Sequence, residues 1–136
     1  MRRVLVDTGA LVALVRERDT YHSRVVNFLG DFRSGELLTT IPVLTETLHL
    51  LPARFGSAVL GLVRPPQWHV LDVAEGLPRI SELLAKYADR PMDFADATLV
   101  YVAGREGIAD ILTIDHDDFE TYRFGRNRRF RISPAR

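Results

Sequence analysis

The sequence has no cysteine. Disulfide scaffolds, thiolate zinc sites and cysteine nucleophiles are thereby excluded. Lysine is almost as scarce: Lys86 is the only one, and every other basic residue is arginine. No apolar run approaches the roughly 18 residues that a membrane span requires. Met1-Arg2-Arg3 followed by apolar residues has the outline of a secretion signal. Asp7 interrupts that run and no small-residue cleavage site follows, so a cytoplasmic protein is expected. Phosphate-loop and nucleophile-elbow signatures are missing, as are internal repeats and low-complexity stretches.

What remains is ordinary globular material. The 136 residues are 46% hydrophobic and 26% charged, which fits one domain over 1–136 with a real core. The formal net charge is zero, whereas nucleic-acid binders are usually basic. The zero is unevenly built. Residues 121–136 hold six arginines and no acid, so residues 1–120 carry −6.

Val4-Leu5-Val6 reads as a buried strand, and Thr8 to about Val15 as a helix. Thr20 is expected to cap a second helix with Tyr21, Val25, Phe28 and Leu29 on one face. Leu37 to Thr40 reads as a strand, and Pro42 suits the first turn of a third helix. Phe55 to Val63 reads as a helix, Trp68 to Val73 as a strand, and Glu75 to about Ala88 as an amphipathic helix. Asp93 can cap a helix that runs to about Glu106 and is closed by Gly107. Ile111 to Ile114 reads as a strand, with Phe130 to Ile132 as a last one. Strands alternating with helices predict an α/β domain whose central sheet is mostly parallel and flanked by helices.

Four acids then stand out. Asp7 and Asp115 each follow a strand, and in a parallel sheet the carboxyl ends of the strands share one ligand-binding edge. A helix cap or a turn explains either one alone. Asp96 lies in a helix that is apolar nearly all round, where an unpaired charge costs several kcal/mol. Asp93, on the same side, has a good alternative role as the N-cap. Glu46 has no Lys or Arg at helical spacing. Such a cluster needs compensation, and an oxygen-ligand site for Mg²⁺ or Mn²⁺ supplies it. Divalent ions held by carboxylates suit phosphodiester hydrolysis.

The segments carrying these acids resemble a known family. Val4 to Leu11 resembles the opening of a PIN domain, and Thr45-Glu46 its second acidic position. Met92 to Leu99 resembles the third, at Asp96, and Leu112 to Phe119 the fourth, at Asp115. The whole chain is similar to the VapC ribonuclease toxins of toxin–antitoxin pairs. That resemblance implies a single PIN-like fold, Mg²⁺- or Mn²⁺-dependent RNA cleavage without a protein nucleophile, a homodimer, and a small antitoxin that blocks the pocket. It assigns Asp7, Glu46, Asp96 and Asp115 as catalytic metal ligands. Thr8, Asp93, Thr113 and Asp118 are accessory candidates, and Asp117 is a nearby acid without an assigned role.

Arg126, Arg128 and Arg129 are candidate RNA contacts. Tyr122, Phe124 and Phe130 interleave with this segment, a composition that suits phosphate contacts and base stacking. A solvated terminal strand explains it equally well. His116 adjoins the site, and ordinary polar roles are expected of the other histidines. A receiver-like domain needs a lysine after a late strand, and a dehalogenase-like phosphatase needs Asp-x-Asp after the first. Neither is present. The alternative of another class is a PIN-like protein that binds RNA or a partner without turnover.

Overall fold

The computed structural model describes residues 1–136. Its centre is the strand that the β-branched run predicts. β1 (Arg3–Val6) pairs in parallel with β2 (Glu36–Thr40) on one side and β4 (Asp110–Leu112) on the other. Leu5 lies opposite both Leu38 and Ile111, and all three are buried. Truncating a leucine at such a position costs about 2–5 kcal/mol. β3 (Trp68–Leu71) and β7 (Arg131–Ser133) complete an all-parallel sheet of order β3-β2-β1-β4-β7.

The helices cover this sheet, as parallel sheets require. α1 (Thr8–Val15) and α3 (Ile41–Leu50) begin directly after β1 and β2, so both start at the carboxyl edge. α6 (Phe94–Glu106) is capped by Asp93 and ended by Gly107 at φ 69°, a left-handed conformation that glycine adopts without strain. The remaining helices are α2 (His22–Asp31), α4 (Gly56–Leu62), α5 (Leu77–Lys86) and α7 (His116–Thr121).

Some sequence expectations need correction. Thr20 does not cap α2: the helix starts one residue later than its side chain could serve, and Asp19 Oδ1 instead accepts the Tyr21 N–H at 2.8 Å. The fourth strand ends at Leu112, although Thr113 N–H still bonds Ser133 O at 2.9 Å. α7 was not expected, and neither was the hairpin of β5 (Arg123–Phe124) and β6 (Arg128–Arg129). The C-terminal aromatics are no stacking surface. Tyr122, Phe124 and Phe130 are buried: Tyr122 and Phe130 pack on Phe119 at ring separations of 5.2 and 5.4 Å, and Phe124 packs on Phe130 at 4.8 Å, contacts worth about 0.5–1.5 kcal/mol each beyond their area.

Candidate active site

Three of the singled-out acids are helix caps that also face the same cleft. Asp7 Oδ1 accepts the Thr8 N–H at 2.7 Å, at the start of α1. Asp93 Oδ1 accepts the Asp96 N–H at 2.7 Å, at the start of α6. Asp115 Oδ1 accepts the Asp118 N–H at 3.4 Å, at the start of α7. The cap and the site are therefore one arrangement. Each helix presents its positive end where negative charge gathers.

Asp7, Glu46, Asp93, Asp96, Asp115 and Asp118 line one open cleft of about 430 Å³. All four expected ligands and the accessory acids Asp93 and Asp118 thus meet at the carboxyl edge of the sheet. Thr8 lines the cleft as well, while Thr113 lies buried behind it. One carboxylate oxygen from each of Asp96, Asp115 and Asp118 lies within 4.8 Å of the other two. Asp118 is thus more central than an accessory role implies. It also holds Arg90, whose guanidinium donates to Asp118 Oδ1 at 2.8 Å.

The apolar setting decides the electrostatics. Burial chiefly raises Asp7 to about 7, against the bonds from Thr113 and Thr8 that favour its charged form. Burial also raises Asp96 to about 9, and the charges of Asp7 and Asp93 add to it. Asp115 rises to about 6, first through burial and then through Asp118. Half-buried Glu46 is raised by desolvation, opposed by the Thr8 hydroxyl and reinforced by Asp93. A bound cation would reverse this penalty for all four.

The donor set fits such a cation. The polar side chains of the cleft are carboxylates and one hydroxyl, with no imidazole or thiol among them. Hard oxygen ligands of this kind suit Mg²⁺ or Mn²⁺. Thr8 Oγ1 is buried beside the Glu46 carboxyl, whose charged form it favours, and it makes no other hydrogen bond inside the protein.

Other candidates lie elsewhere. His116 is a structural tie: it is buried, with Nε2 at 2.8 Å from Pro134 O and Nδ1 at 3.2 Å from Ile114 O. Asp117 is exposed and pairs with Arg136, which holds its carboxyl below the usual range. Arg126, Arg128 and Arg129 sit on or beside β6, outside the cleft. Tyr122 was missed. Its hydroxyl donates to Asp96 Oδ2 at 3.2 Å across 26 positions, and nothing local in the sequence marks that contact.

Comparison with known proteins agrees with this geometry. The PIN domain family matches residues 4–125, a span that contains every acid of the cleft. A search of curated proteins returns no match. Among solved structures, VapC20 of Mycobacterium tuberculosis, described as a sarcin–ricin loop cleaving toxin, has a TM-score of 0.75 at 26% identity. The alignment covers 84% of this chain and 91% of VapC20. With the family match spanning most of its length and the acidic cleft at the carboxyl edge of its sheet, the chain belongs to the PIN domain family.

Proposed function

We propose that this protein is an endoribonuclease toxin of the VapC type that uses Mg²⁺ or Mn²⁺. The observation that carries the reading is the convergence of Asp7, Glu46, Asp96 and Asp115 in one cleft. These four would hold the cation, with Asp118 adjoining them. A bound divalent cation supplies Lewis acidity toward a phosphodiester and lowers the pKa of water.

The chain's own residues orient that chemistry. Thr113 fixes the Asp7 carboxylate and Tyr122 fixes that of Asp96. Asp93 holds the first turn of α6 in place. The Thr8 hydroxyl steadies the Glu46 carboxylate beside it. No cysteine, serine or lysine lines the cleft, so attack by water is the economical route.

A toxin of this type would act in the cytoplasm; no helix is long and apolar enough to cross a membrane. The expected partners are a small antitoxin and a second copy of the chain. Exposed Ile41, Val70 and Phe94 form an apolar patch beside Glu46 and Asp93, a surface suited to a protein partner.

The test is cleavage of structured RNAs, beginning with a sarcin–ricin stem–loop, in Mg²⁺, Mn²⁺ or EDTA, with the products mapped. Discrete cuts that require a divalent ion are expected. RNA binding without cleavage in either ion would favour the binding-only alternative and overturn this one.

A further inference from the structure

We propose that the β5–β6 hairpin and the groove beside it form a second RNA contact, which grips substrate phosphates away from the bond that is cut. The proposal rests on the ribonuclease reading. Its physical motive is charge: a cleft lined by six acids repels a polyanion, so affinity for RNA must come from another surface.

The six arginines of residues 121–136 divide in two. Arg123 donates to the carbonyls of Glu120, Thr121 and Tyr122. Arg131 pairs with Asp110 at 2.8 Å, and Arg136 with Asp117 and Glu120. Arg126, Arg128 and Arg129 have no carboxylate partner and are all exposed. These three unpaired arginines fall within four consecutive positions at the hairpin. Their planar forks match phosphate oxygens.

The hairpin is a fixed platform. Phe124 is 1% exposed and packs on Phe130 at 4.8 Å, and the Arg128 guanidinium lies over the Phe124 ring at 4.9 Å. A Cβ added to Gly104 would meet Gly125 N at 3.2 Å, so the backbones of α6 and the hairpin touch. Beside this contact opens a groove of about 370 Å³ lined in part by Arg79, Tyr101 and Arg105. Arg105 stacks over Tyr101 at 5.3 Å and is paired with Glu106 at 2.8 Å, as Arg79 is with Glu82 at 3.0 Å, so the unpaired positive charge beside the groove is that of the hairpin. Gly104 lies eight positions after Asp96 on α6, about 12 Å along the axis at 1.5 Å per residue. A few nucleotides span that distance.

The test uses the full chain and the variant R126A/R128A/R129A. Binding of a sarcin–ricin stem–loop RNA is measured in EDTA over a range of salt, and cleavage kinetics are measured with metal. The variant should lower the slope of log affinity against log salt by about 2–3, from roughly 0.7–0.9 for each of three lost phosphate contacts. It should raise KM on the stem–loop about tenfold, and less on a short single-stranded fragment of the loop. Lysine at the three positions should restore the salt slope. Unchanged slope and KM in a folded variant overturn the proposal, as does loss of binding to a protein partner with RNA binding intact. Wild-type protein that binds the stem–loop with the full slope but cuts no RNA supports the contact and sinks the ribonuclease reading instead.

Discussion

Thr113 Oγ1 donates to Asp7 Oδ2 at 2.8 Å and accepts the Asp115 N–H at 3.0 Å. One buried hydroxyl, on a residue 106 positions from Asp7, therefore orients one acid of the cleft and the backbone of another. Thr113→Val keeps the shape and removes both bonds. A group that aligns a metal ligand typically changes metal affinity or activity by about 10–100-fold. The orphaned Asp7 oxygen costs about 1–3 kcal/mol when buried. We expect both losses, read by Mn²⁺ titration and by thermal melting. Wild-type Mn²⁺ affinity in the variant would remove Thr113 from the site.

Asp96 sits in an apolar helix and is raised to about 9, so its ionised form is a burden on the metal-free fold. Asp96→Asn has the same shape, stays neutral and still accepts from Tyr122. The metal-free variant should melt at a higher temperature than wild type at pH 8. Its cleavage should fall at least about a hundredfold, since a lost metal contact is worth several kcal/mol in the transition state. Asp7→Asn should behave alike. A variant that melts later yet cuts at the wild-type rate would take Asp96 out of the site.

How much was legible in the sequence depends on where the controlling contact lies. α6 was readable from end to end, because Asp93, the apolar body and Gly107 are all local signals. Glu46 was readable by what it lacks, a cation at helical spacing. α7 was not, because six residues rich in acids carry no helical period. Tyr122 and Arg90 reach the acids only through the tertiary fold. The terminal aromatics misled because composition resembles a stacking surface until burial is known. Phe124 and Phe130 turn inward while Arg128 and Arg129 face out.

Metal-free stability should fall as pH rises. Asp115, Asp7 and Asp96 are raised from 3.8 to about 6, 7 and 9. Between the two sets of values the folded chain holds protons that the unfolded chain has released. Stability is then fully present below about pH 4 and is lost as pH climbs through the folded values. A divalent ion binds the ionised acids, so its stabilisation grows over the same range and reaches about 2.7 kcal/mol at a hundredfold excess over Kd. Melting with and without Mn²⁺ should show a larger gap at pH 8 than at pH 5.5. A gap that shrinks with pH would contradict the carboxylate assignment.

Arg90 and Asp118 set the last prediction. Their pair at 2.8 Å is partly exposed, and such pairs contribute about 0–1 kcal/mol. Arg90→Ala should therefore leave the fold nearly as stable. The effect on the cleft is larger in kind. The substitution removes a positive charge from the rim and releases Asp118, one of whose oxygens lies within 4.8 Å of an oxygen of Asp96 and one of Asp115. Mn²⁺ should bind more tightly by about two- to fivefold, the ratio that up to ~1 kcal/mol allows. RNA binding in EDTA should weaken, because the cleft has become more negative. The two measurements moving in opposite directions mark Arg90 as a counter-charge to the acids. If Mn²⁺ affinity falls instead, Arg90 holds Asp118 in position, and Asp118 belongs among the ligands.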